Sequence, residues 1–73
     1  MTYCIAVFRS RSQAIDCKGQ LARAGIKAEI VATPSSLHIG CGLSVKFPTA
    51  AYGRARAIIA RGGYTAFYGY MNI

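Results

Sequence analysis

Acidic residues are nearly missing from this 73-residue chain. Only Asp16 and Glu29 oppose nine Lys and Arg, so the formal net charge is +7. Charge of either sign is scarce, at 15% of residues, whereas hydrophobic residues make up 53%. Compositional disorder is excluded, because disordered segments are poor in apolar and aromatic residues. No apolar run approaches the roughly 18 residues of a membrane helix, so no membrane partner is expected. The first residues do not read as a signal peptide: Met1–Phe8 is apolar, but Arg9 and Arg11 follow without a cleavage-like segment. The length fits a single domain over residues 1–73.

The usual staples of a small domain are lacking as well. A chain of this size buries only about 60% of its unfolded surface. The three cysteines, Cys4, Cys17 and Cys41, are odd in number and follow no export signal, which argues against a disulfide framework. No CxxC pair exists and His38 is the only histidine, so no metal site and no cofactor motif is read. Reduced thiols in a cytoplasmic setting are the expectation. Oligomerisation is the remaining staple.

What is present is a regular alternation of elements. Tyr3–Phe8 is a continuous apolar run and predicts a strand buried on both faces. Ser10 and Ser12 offer N-cap hydroxyls, and Ala14, Cys17, Leu21 and Ala24 form one helical stripe. Gly25 stands where a left-handed C-terminal cap belongs. A second strand is read over 26–32, a loop from Pro34 to Gly42, and a third strand over Leu43–Phe47. Pro48 and Thr49 begin a helix with Ala51, Ala55, Ile58 and Ile59 as its apolar stripe, which Gly62-Gly63 stops. Tyr64–Met71 reads as a last strand. The order β-α-β-β-α-β implies an α+β, ferredoxin-like split βαβ fold: a four-stranded antiparallel sheet with two helices on one face. Strict alternation puts Ala66, Tyr68 and Tyr70 on one side of the last strand and Thr65, Phe67 and Met71 on the other. The uncovered sheet face should then be apolar or aromatic, suited to a second copy of the chain or to stacked bases.

Candidate chemistry centres on Gly40-Cys41-Gly42. A cysteine between glycines sits on backbone that permits close approach. In the expected topology this loop shares one end of the sheet with the start of the first helix. Cys41 can then approach the N–H groups near Ser10, Arg11 and Ser12. A helix N-terminus and nearby Arg9 and Arg11 favour an anion and raise the thiolate fraction. His38, three residues before Cys41, is a candidate proton shuttle, although no acid in the loop completes a triad. Cys4 and Cys17 fall on interior positions and read as structural. Arg54, Arg56 and Arg61, together with Lys46, read as the solvated face of the second helix.

These residues resemble the putative selenium/sulfur carrier protein-like family. The resemblance covers nearly the whole chain. It rests on the strand ending in Phe8, Ser10 before the helix, Ala24-Gly25-Ile26, then Pro34, Leu37, Cys41-Gly42 and the strand ending at Phe47. It implies that Cys41 holds sulfur or selenium as a persulfide or perselenide. The partners would be donor and acceptor proteins, and the chain a carrier rather than a catalyst. The helices here are poorer in acids and richer in Arg than those of the family. Two other classes compete. One is an RNA- or single-strand-binding module stacking bases on the sheet, although Leu43–Phe47 lacks the expected aromatic signature. The other is a sensing or assembly module that dimerises through its sheet.

Overall fold

The computed structural model describes residues 2–33 and 42–73. The element order is β1 (Tyr3–Phe8), α1 (Arg11–Arg23), β2 (Glu29–Ala32), β3 (Leu43–Pro48), a 3-10 turn (Thr49–Ala51), α2 (Tyr52–Gly62) and β4 (Phe67–Asn72). The four strands form one antiparallel sheet in the order β2-β3-β1-β4. The expected α+β, β-α-β-β-α-β architecture is therefore observed.

Residues of β1 alternate between two buried environments. Cys4, Ala6 and Phe8 belong to a core shared with Ala14, Cys17 and Leu21 of α1 and Ala55 and Ile59 of α2. Both helices thus pack on that face. Ile5 and Val7 point the other way and are equally buried. Their cross-strand neighbours are Lys46 and Met71 for Ile5, and Ser44 and Gly69 for Val7. The continuous apolar run of β1 follows from its central place, with a strand on each side.

Local chemistry sets where α1 begins and ends. Ser10 is extended and caps the helix, its hydroxyl accepting from the Gln13 N–H. At the other end Gly25 takes φ +81. The Gly25 N–H then reaches the Ala22 carbonyl and the Ile26 N–H reaches Leu21, the paired bonds of a Schellman cap. Ile26 and Leu21 are both buried, which adds the apolar contact of that motif. The α2 helix stops at Gly63, where φ is +66.

Three readings need correction. The β2 ladder starts only at Glu29, opposite Lys46, although the apolar pattern suggests residue 26. Ile26 is buried without being paired, so that pattern reported burial rather than a ladder. The last strand also starts later, at Phe67. A β-bulge then lets Val7 face Gly69 while Phe8 faces Phe67, leaving Tyr68 as the extra residue. Phe67 and Tyr70 consequently share the helix-covered face, against strict alternation. Finally, Lys46 does not belong to the α2 surface. It lies on β3, 3.4 Å from the Glu29 carboxylate, with its ammonium 4.5 Å from the Tyr3 ring centroid.

Candidate functional site

The C-terminal end of β1 delivers Arg9, Ser10, Arg11 and Ser12 to the first turn of α1. That turn holds no acidic residue. The Ser12 hydroxyl lies 3.0 Å from the capping Ser10 hydroxyl, so Ser12 supports the cap rather than forming it. Arg9 is exposed, and its guanidinium sits 5.3 Å from the centroid of the Tyr68 ring. Its backbone N–H donates to the Ala66 carbonyl at 2.9 Å.

The ends of β2 and β3 arrive at this same edge. Ala32 faces Leu43, and Leu43 faces Phe8. Gly42 is pressed against β1: a Cβ built there would lie 2.5 Å from the Phe8 carbonyl oxygen and 3.2 Å from Thr33 Oγ1. Only glycine fits so close to backbone. The Thr33 and buried Ser44 hydroxyls bond at 2.9 Å, tying the two strand ends together. The structure thus gathers Arg9, Ser10, Arg11, Ser12 and Gly42 at one end of the sheet. Cys41, Gly40 and His38 lie outside the described residues.

Sequence reasoning passes over Gln13. Its side-chain amide donates to Thr65 Oγ1 at 3.0 Å and its carbonyl accepts from the Ala66 N–H at 2.8 Å. One residue therefore pins the approach to β4 onto the start of α1. The spacing Ser10-x-x-Gln13 is a capping-box signature that would have drawn notice to this position. The expected partner would have been wrong, because the side chain reaches across to the β4 approach instead of back to its own helix.

The other two cysteines are buried. Cys17 is fully buried under the helices, and burial, followed by the Asp16 charge, pushes it up to about 12. Cys4 is 3% exposed, at the opposite end of β1. It donates to Asn72 Oδ1 at 3.3 Å and lies 3.5 Å from Thr49 Oγ1. Both sites match the structural role read for them. Among the described residues, no three or more His, Cys, Asp and Glu gather where a metal could bind, and no helix is long and apolar enough to cross a membrane.

The aromatic platform expected for nucleic acid is turned inward. Phe8 stacks edge-on against Tyr64 at 5.4 Å and tilts against Phe67 at 5.5 Å. Tyr70 packs edge-on with Tyr52 and Phe67 at 5.1 and 4.9 Å. These rings pack against the core on the helix-covered side of the sheet, not on its open face where a stacking platform would lie.

A family model described as "Putative Se/S carrier protein-like" matches residues 3–68. It is the same family that the Phe8, Ala24-Gly25-Ile26 and Cys41-Gly42 pattern resembles. No curated protein and no solved structure matches the chain.

Proposed function

The chain belongs to the putative Se/S carrier protein-like family, and from that premise we propose that it carries a sulfur or selenium atom on the thiol of Cys41. The observation that supports this most is the fate of the alternatives. Cys17 is fully buried, with its thiol pushed up to about 12, and Cys4 is 3% exposed with its thiol bonded to Asn72 Oδ1. Neither is suited to attack an external sulfur at neutral pH, where the thiolate is the nucleophile.

In the proposed step, the Cys41 thiolate attacks the outer sulfur of a donor persulfide, R–S–SH. A new Cys41 S–S bond forms as the donor S–S bond breaks. The donor leaves as the thiolate R–S⁻, and Cys41 becomes a persulfide. The exchange is isoelectronic, with no net oxidation, and follows the course of thiol–disulfide exchange. An acceptor thiolate then removes the outer atom in the same way. Perselenide transfer has the same balance with selenium as the outer atom.

The residues beside Gly42 suit an anionic intermediate. Gly42 follows Cys41 directly, and consecutive Cα atoms are about 3.8 Å apart. Arg9, Arg11 and the acid-free first turn of α1 stand at the same sheet end as Gly42. Each favours a thiolate or persulfide anion. In this reading His38 serves as a proton shuttle and Gly40 is a binding residue beside Cys41, while Gly42 lets the chain come close to β1.

Iodoacetamide labelling across pH, with peptide mapping of the three thiols in the native chain, tests this reading. Cys41 should react at least about tenfold faster than Cys4 or Cys17 and titrate below the usual value near 8.5. Equal reactivity, or an ordinary midpoint, would remove its physical basis.

A further inference from the structure

We propose that two copies of this chain associate by pairing β4 with β4 antiparallel across a two-fold axis, extending the sheet from four strands to eight. The inference is independent of Cys41. β4 is the terminal strand of the order β2-β3-β1-β4, so its outer edge has no strand neighbour among the described residues. Natural edges are usually blunted by charge, proline or a bulge. Here the only such device is the bulge near Tyr68, at the strand's start. From Gly69 to Asn72 the strand is regular and carries neither charge nor proline.

The flank beside this edge is prepared for cover. One groove of about 480 Å³ between α2 and β4 is lined by Ile59, Tyr64, Phe67 and Tyr70, with Arg56 as its one cation. A second, of about 430 Å³, is lined by Tyr52, Tyr70 and Met71, with the 3%-exposed Cys4 in its wall. Both share Tyr70, so they run side by side along the strand. A paired strand carries alternate side chains onto each face of the sheet. Those on the helix side would lie over these grooves. Backbone bonds would fix the register, and the half-exposed aromatic rings would supply the apolar burial.

Charge selects a second copy over a different partner. Residues 62–73 contain no charged side chain, although the chain carries +7. Two like-charged molecules approach with least repulsion where charge is absent. An acidic partner would instead be drawn to the helices, where Arg23, Arg54, Arg56 and Arg61 are exposed. An edge that pairs antiparallel with itself also meets the closed two-fold symmetry of most homodimers without a second binding surface. The open sheet face is a poorer candidate, because Ile5 and Val7 are already buried there and Lys46 is paired with Glu29.

Sedimentation equilibrium of the Cys41→Ser chain, which excludes an intermolecular disulfide through that thiol, tests the pairing. The mass should rise from 7.8 kDa to twice that value with concentration. Gly69→Lys places a charge on the strand where a Cβ meets nothing within 4 Å. It should weaken the dimer at least about tenfold while circular dichroism stays unchanged. Should that variant misfold, amide exchange of the parent chain decides, with slowing at residues 69–72 as concentration rises. A chain that stays at 7.8 kDa up to about 1 mM would overturn the proposal. So would a folded Gly69→Lys dimer of unchanged affinity, or concentration-dependent protection confined to other segments.

Discussion

Substituting Gly42 by alanine is the sharpest test of how the candidate site is built. The added Cβ would lie 2.5 Å from the Phe8 carbonyl oxygen, a distance at which something must move. The neighbour is backbone of the central strand, paired on both sides with β3 and β4, so it yields reluctantly. Overpacking of this kind costs about 1–3 kcal/mol. The Gly42 φ lies outside the left-handed region, so the penalty is steric contact alone. Gly19 supplies the opposite sign within the same chain. It sits inside α1, and its Cβ would meet nothing within 4 Å. Gly19→Ala should therefore stabilise by up to about 1 kcal/mol through helix propensity and reduced unfolded-state entropy. For a domain of this length, 1 kcal/mol moves Tm by about 4–8 °C. Thermal denaturation of both variants beside the parent chain should show Gly42→Ala melting lower and Gly19→Ala melting higher. Equal or raised stability of Gly42→Ala would refute the close approach of the loop's end to β1.

Other outcomes follow from the same contacts. Gln13→Ala removes two hydrogen bonds to the β4 approach and should destabilise by about 1 kcal/mol, with faster amide exchange at Ala66; an unchanged rate there would contradict the pinning role. Stability should fall as pH rises from about 9 to about 12. The unfolded chain loses the Cys17 and Tyr70 protons in that window, whereas the folded chain, with both groups pushed up to about 12, retains them. Urea midpoints measured across it check the sign, and a midpoint rising with pH would contradict the desolvation of both groups. Arg9→Ala combined with Arg11→Ala should move the alkylation midpoint of Cys41 upward at low salt and less at high salt; no movement at either would dissociate these arginines from the thiol.

Much of the fold is legible in the residues because short-range chemistry and the buried pattern agree. The Tyr3–Phe8 run coincides with β1, since a central strand is apolar on both faces. Gly25 and Gly63 mark helix ends because each adopts a positive φ. The failures have physical causes too. Ile26 is buried by the helix cap rather than by strand pairing, so apolar character overstated β2. The bulge at Tyr68 is a backbone decision that side-chain alternation cannot reveal, and it reversed the facing of Phe67. Charge alone groups Lys46 with the arginines, yet its strand holds it beside Glu29 and Tyr3. At the candidate site, Ser10 as cap and the meeting of the loop ends with β1 follow from serine chemistry and topology. The long-range bonds of Gln13 depend on how the β4 approach lies against α1, which no local pattern encodes.

The scarcity of acids takes on a meaning in this setting. Asp16 accepts a hydrogen bond from the Tyr64 hydroxyl at 2.7 Å, and Glu29 pairs with Lys46. Both acids are thus committed to contacts within the protein's own framework.

Whether Cys41 accepts a chalcogen atom is decided most directly by intact mass spectrometry after incubation with a cysteine desulfurase system, followed by peptide mapping. A gain of about 32 Da for sulfur or about 80 Da for selenium, located on Cys41 and lost in Cys41→Ser, is the predicted result. An unmodified Cys41, or an adduct that maps to Cys4 or Cys17, would contradict the carrier assignment.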